Sequence, residues 1–199
     1  MLSSISPLGE RARNSRWWLT TAAYVTGSVL GGMAMGTLAA FLGSLLPVVW
    51  RSSAWGVAVA AGLLLVGIVV DLRSGGHGVP SWRRQVDVGW LDEFRGWVMG
   101  LGFGAQLGFG LVTIITSTTT YAVVLLAAWS GDPVTGLVIG ATFGLVRALP
   151  AVLMARVQDR EGLHRAFSRV ERWAKPVQLV AMVSLAVAAT ALVGTAVGS

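Results

Sequence analysis

Residues 136–154 read GLVIGATFGLVRALPAVLM. The run is apolar and glycine-spaced, and in its middle stand Arg147 and, three residues on, Pro150. A guanidinium does not deprotonate in practice, and a charge at the centre of a bilayer costs at least ~2.5 kcal/mol on insertion scales. Arg147 stands nine residues before Arg156, ~13 Å along a helix axis, which puts it near the midplane. Whatever compensates it defines the chemistry. Three partners suit. Pro150 has no N–H, so the carbonyl of Val146 is free. A broken neighbouring helix offers carbonyls. An anionic ligand is the third.

Residues 113–121 read TIITSTTTY and bring the hydroxyls of Thr113, Thr116, Ser117, Thr118, Thr119, Thr120 and Tyr121 into one stretch. Gln106 lies just upstream among closely spaced glycines. Hydroxyls compete with a helix's own hydrogen bonds, so a break near 108–120 is expected. Irregular backbone at membrane depth is tolerated only where it faces protein or a water-filled cavity. A broken span, a hydroxyl cluster and a lone cation together describe a midplane anion site of the kind secondary transporters use. The expected substrate-binding residues are Arg147, Gln106, Thr113, Thr116, Ser117, Thr120 and Tyr121. A plainer reading stands beside this one: Ser and Thr are common glue between helices, and Arg147 could snorkel about one turn toward the cytoplasm.

The elements that must hold these residues are transmembrane helices. Of the 199 residues 54% are hydrophobic and 12% charged, against roughly a quarter charged in soluble domains. Mean hydropathy is +0.70. Five stretches reach the ~20 residues that a ~30 Å hydrocarbon core requires: 17–49, 54–71, 97–129, 134–155 and 174–197. The expected fold is all-α, a single transmembrane domain over 1–199, with cytoplasmic loops at 72–96 and 156–173. The first stretch is too long for the ~7–15-residue apolar core of a cleaved signal peptide.

Basic residues alternate between the connections. The N-terminus carries Arg11, Arg13 and Arg16; the 72–96 loop carries Arg73, Arg83, Arg84 and Arg95; the 156–175 loop carries five Arg and Lys175. The 49–54 turn holds only Arg51, and the SGDP turn at 130–133 holds none. The positive-inside rule then places the N-terminus and both long loops in the cytoplasm and the C-terminus outside, in a bacterial plasma membrane. The net charge of +6 is thereby a topology signal and not a sign of nucleic-acid binding. Trp17, Trp18, Trp50, Trp55, Trp97, Trp129 and Trp173 fall at the span ends, where indoles prefer the headgroup level.

Two of the stretches, 17–49 and 97–129, are too long for one straight crossing and must tilt, protrude or break. Each precedes a tight turn and a shorter span, so 17–71 and 97–155 read as a parallel repeat of one helical hairpin. Gly96, Gly100, Gly104 and Gly108 recur every four residues, as do Gly136, Gly140 and Gly144 with Ala148; Gly27 with Gly31 and Gly32 with Gly36 repeat the spacing. Such ridges let helix backbones close on one another, within the chain, in a homo-oligomer or in a larger membrane complex. In 157–173, Leu163, Phe167, Val170 and Ala174 share a helical face amid arginines, which suits a helix lying on anionic lipid headgroups or an ordinary basic loop.

Much chemistry is excluded. With no cysteine there is no thiol redox chemistry or thiolate metal site. The two histidines, His77 and His164, sit in polar loop sequence, so no metal or other cofactor is expected. Asp71 is read as the cytoplasmic end of the second span and the other carboxylates as loop residues, which leaves no deep acid. Asp71, Asp87, Asp92, Glu93 and the histidines show no converging acid, base and stabiliser, and no enzyme activity is expected.

GLGFGAQLGFG (100–110), followed by an apolar, hydroxyl-rich helix and then by GATFGLVRALP (140–150), resembles the superfamily joining LysE-type exporters, sulfite-exporter-like proteins and CcdA/DsbD thiol-electron carriers. The resemblance covers about 96–156 and implies a transporter-like architecture. The Pro-Cys pair of the CcdA-like branch is missing from LVTIITST, which rules out thiol electron transfer by this chain. That superfamily is usually described with inverted three-helix repeats, whereas five spans with a parallel repeat are read here. The function expected is transport or export of a small anionic solute. The rival is a non-catalytic membrane subunit docked on a larger complex.

Overall fold

The computed structural model describes residues 16–74, 96–110 and 118–153, together with scattered helical residues between 161 and 194. Every element among them is a helix: α1 (Trp17–Ser44), α2 (Val48–Ser52), α3 (Ala54–Ser74), α4 (Gly96–Phe109), α5 (Thr119–Ser130) and α6 (Pro133–Leu153). The helices α1, α3 and α6 are each long and apolar enough to cross a membrane. The chain is an all-α membrane protein. Large side chains such as Trp18, Leu38, Trp55, Leu63, Val66 and Val138 stand exposed on its outer faces, as lipid-facing residues do.

The first long stretch resolves at Pro47. That residue cannot donate a backbone hydrogen bond and disfavours helix just before it, so α1 stops at Ser44 and the one-turn α2 follows. The second resolves at Gly110, where φ is +75°, a left-handed conformation that glycine adopts freely. There α4 ends after 14 residues and α5 starts anew at Thr119 for 12. These are lengths of ~21 and ~18 Å, each short of a full crossing.

Glycine sets the packing. A Cβ on Gly100, Gly104 or Gly108 would fall on the carbonyl of Thr20, Tyr24 or Ser28 of α1, and one on Gly27 or Gly31 would fall on the carbonyl of Leu101 or Ala105 of α4. The register rises together, so α1 and α4 run parallel with backbones in contact. On the other face of α1, Gly32 and Gly36 meet Gly140 and Gly136 of α6 in descending order, so α6 is antiparallel. The ladders therefore close on one another within the chain. Ser28, fully buried, sits where the three helices meet and donates its hydroxyl to the Gly144 carbonyl at 2.7 Å.

Further along α1, Gly43 abuts Ala128 of α5. From Ser28 to Gly43 α1 uses 15 residues, while the path from Gly108 to Ala128 beside it uses 20. The α4–α5 path thus carries five residues more than a continuous helix there would need. α3 packs on α5 through Ala61, Leu64 and Ala122, with Ile68, Leu125 and Leu126 around them. The second helix of each hairpin therefore lies against the first helix of the other.

One end is closed by specific contacts. Arg51 donates from Nη1 to the carbonyls of Trp129 and Ser130 at 3.1 and 3.0 Å, where the C-terminus of α5 favours a cation. Gly131 (φ +58°) leaves room for that guanidinium. The Trp50 and Trp129 rings lie 5.7 Å apart beside it. Asp132 caps α6: its carboxylate accepts from the Thr135 hydroxyl at 2.6 Å and the Thr135 N–H at 2.8 Å, with Pro133 at the first helical position. Those Thr135 bonds, the hydroxyl first, hold Asp132 below the usual carboxylate range.

Residues 75–95 and 154–160, which fill most of the first basic loop and begin the second, lie outside the described residues. Of 157–173, Glu161, Arg165, Ser168 and Arg172 are helical and exposed; Leu163, Phe167 and Val170 lie outside the described residues. Leu179, Val180, Val183 and Val187, within the expected fifth span, are helical and exposed.

Candidate functional site

The first turn of α5 begins anew beyond the end of α4 at Gly110. Thr118 lies ~20 Å along α5 from the capped end at Gly131, by helical rise. Three helices bring side chains to this turn.

From α6, Arg147 reaches across to α5. Its Nη1 donates to the Thr120 hydroxyl at 3.3 Å, and its guanidinium carbon lies 5.3 Å from the centre of the Phe143 ring, a cation–π distance. From α1, Tyr24 is buried against Ala148 and Ala151 and sits within electrostatic reach of the same guanidinium. Gly110 closes the floor: a Cβ there would meet the Thr120 methyl and the Phe143 ring at 3.0 and 3.3 Å. Guanidinium has five N–H donors. Among the described residues it makes one hydrogen bond, at the long end of the usual range. Burial of a charge is tolerated when it is paired and hydrogen-bonded, and this one is half-buried with most of its donors unassigned.

From α3 comes a residue that the sequence reading left out of the site. Asp71 is 3% exposed, and its Oδ1 accepts the Thr118 N–H at 2.8 Å. Thr118 in turn donates its hydroxyl to the Gly67 carbonyl at 2.9 Å. Asp71 was expected at the cytoplasmic end of the second span. It lies in the last turn of α3, which ends at Ser74, beside the first turn of α5. The first turn of a helix favours an anion through its free N–H groups and its dipole, which is why a carboxylate is stable there.

The expected site residues divide. Arg147 and Thr120 touch. Gln106 is half-buried on α4, one turn before the break; its carbonyl accepts the Gly110 N–H at 3.3 Å, and its side chain makes no hydrogen bond among the described residues. Tyr121 is 42% exposed, turned to the outer surface of the bundle. Thr113, Thr116 and Ser117 lie outside the described residues. Beyond Asp71, the sequence reading missed Tyr24, Gly67 and Phe143. A ring four residues before a deep arginine on one helix face was the available signal for Phe143; Tyr24 and Gly67 carried none.

No protein-family model matches the chain, and no solved structure matches it. It is similar to two curated relatives. The methylamine utilization protein MauF of Paracoccus versutus is 29% identical over 167 residues, covering 79% of this chain and 58% of the relative. The protein of the same name from Paracoccus denitrificans is 29% identical over 162 residues, covering 77% of this chain and 56% of the relative. The chain thus spans less than three fifths of the length of the relatives it matches.

Proposed function

We propose that this membrane protein carries a small anionic solute through a site at the α4–α5 break, as part of methylamine utilization. The process is taken from the printed name of the two relatives; the chemistry is taken from the site. The observation that carries the reading is Arg147, a half-buried cation with one long hydrogen bond to Thr120 among the described residues. An anion beside it, with Thr120 and Gln106 as neutral donors, supplies the missing acceptors. The reading keeps five spans, a cytoplasmic N-terminus, an outside C-terminus and no enzymatic step.

The test is uptake by proteoliposomes of a panel of labelled small anions, inorganic and carboxylate, with the chain and with Arg147→Leu. The expected result is saturable uptake of at least one anion, lost in Arg147→Leu while the purified variant keeps the parent's thermal stability. Full uptake by Arg147→Leu would end the proposal. Deletion of the gene in its host, with growth on methylamine as the readout, tests the process separately.

A second reading draws on the relatives' names, which state a process and no solute. The chain would then be a non-catalytic membrane subunit of a larger complex. Since its glycine ridges are occupied internally, such a complex would use outer faces such as that of α3 bearing Trp55, Leu63 and Val66. Stable co-purification of partner proteins from native membranes, with no uptake of any anion, favours it.

A further inference from the structure

We propose that the anion reaches Arg147 along the inner face of α1, through a hydrated, donor-lined lane between α4 and α6 that opens at Trp17. The inference rests on the carrier reading above and deepens it by naming the route to the same site. It starts from periodicity. Trp17, Thr21, Tyr24 and Ser28 stand at i, i+4, i+7 and i+11 of α1, which is one stripe of a helix. All four carry a hydrogen-bonding group. Neighbouring contacts fix where the stripe points. The backbone of α1 at Thr20 and Tyr24 borders α4, and Gly32 and Gly36 border α6; at ~100° per residue the stripe falls between these two faces. Ser28 bears this out, with its hydroxyl on Gly144 of α6 and its carbonyl against Gly108 of α4. Tyr24 likewise packs on Ala148 and Ala151 of α6, with Phe103 of α4 beside it.

The two inner members of the stripe are accounted for. Ser28 is bonded, and Tyr24 lies within electrostatic reach of Arg147. The two outer members are not: Thr21 Oγ1 and Trp17 Nε1 are buried and have no hydrogen-bond partner among the described residues. Thr21 is only 6% exposed. A helical threonine commonly turns its hydroxyl to the carbonyl four residues back, as Thr142 does to Val138 at 2.9 Å; Thr21 makes no such bond. Leaving a buried polar group unpaired is unfavourable, and a seam that only had to be tight would use small apolar residues, as Gly32 and Gly36 do farther along. Water or a ligand oxygen is what meets both groups. The indole and the guanidinium can only donate, and the hydroxyls donate as well as accept. The charged side chains along the lane, among the described residues, are Arg16, exposed at its mouth, and Arg147 at its end. A row of donors between two positive charges passes an anion and gives a cation no charge to hold it.

The test needs no identified solute. The chain has no cysteine, so Thr21→Cys places a single thiol in the lane, and Ala22→Cys places one at the next residue, on the exposed outer face. Each protein, in lipid nanodiscs, is treated with two water-soluble methanethiosulfonates, one bearing a sulfonate and one a trimethylammonium. Every rate is divided by that of a small free thiol. Thr21→Cys should react more than about tenfold faster than Ala22→Cys, since a thiol in apolar surroundings keeps its proton. At Thr21→Cys the sulfonate should be favoured by about tenfold, and adding Arg147→Gln should bring that ratio toward unity. No reaction at Thr21→Cys, no preference for the sulfonate, or a preference that Arg147→Gln leaves unchanged overturns the proposal. Should a variant not fold, hydroxyl-radical footprinting of the unaltered chain decides. With rates normalised to the unfolded chain, Tyr24 should be oxidised faster than Met35, which lies farther along the same stripe and is equally buried; equal rates overturn the proposal. Neither readout involves uptake, so the lane can prove dry while Arg147-dependent uptake stands, and uptake can be absent while the lane is wet.

Discussion

The seam between α1 and α6 at Gly32 and Gly36 and the junction of α4 with α5 are held by different forces. The first is backbone on backbone. In lipid no hydrophobic drive brings helices together, and close van der Waals contact between small residues takes its place. Nothing in that seam titrates, and nothing in it has room to move. The second region is interrupted. The helix stops at Gly110, restarts at Thr119, and the gap is bridged by side-chain hydrogen bonds from α3 and α6 to Thr118 and Thr120. Rigid seams hold a framework; polar bridges can be made and broken. The candidate site sits where the framework ends.

The largest expected effect lies in the rigid seam. Gly36→Val puts branched carbon on the Gly136 carbonyl, and relief requires α1 and α6 to part; a cost of about 3 kcal/mol or more is expected, read as loss of folded protein in detergent. Gly62 sharpens the contrast, since a Cβ there meets nothing within 4 Å. Gly62→Ala should leave the melting temperature unchanged or slightly raised, by the higher helix propensity of alanine. Equal damage at both positions would remove the distinction between the two regions.

At the interrupted region the cost should be smaller. Thr118→Val deletes the hydroxyl bond to Gly67 but keeps the N–H bond to Asp71, and about 1 kcal/mol of destabilisation is expected from denaturant or thermal unfolding. A loss as large as that of Gly36→Val would mean that the break is as much a part of the framework as the seam.

The smallest effect is at the end cap. Asp132 is held below the ordinary carboxylate range by its bonds to Thr135. With a folded-state value below the unfolded one, its contribution is complete above the unfolded value and disappears as pH falls through the folded one. Asp132→Ala should therefore lower thermal stability slightly at neutral pH and not at all in strong acid. The exposed position of this carboxylate keeps the effect small. A constant difference at every pH would show that its charge is not what caps α6.

Much of this arrangement was legible in the sequence. Four-residue glycine spacing announced close backbone contact, because only a missing side chain permits it. The excess length of 97–129 and the hydroxyl run announced the break. Two things could not be read. The ridges do not say which helix they meet, so the exchange that sets α6 on α1 and α3 on α5 was invisible. And Asp71, at the end of its span, gave no sign that it would meet the start of α5. Its burial comes from a partner 47 residues away, and no local pattern encodes that. Arg51 was likewise counted as a lone outside charge, although it caps α5 across the two turns.

The most direct test of the carrier account is an experimental structure of the protein purified from native membranes, examined beside the Arg147 guanidinium. The account predicts a hydrated cavity or bound anion there, bordered by Thr120 and Gln106. A guanidinium extended into headgroups, or packed by another polypeptide with no space alongside, would contradict it.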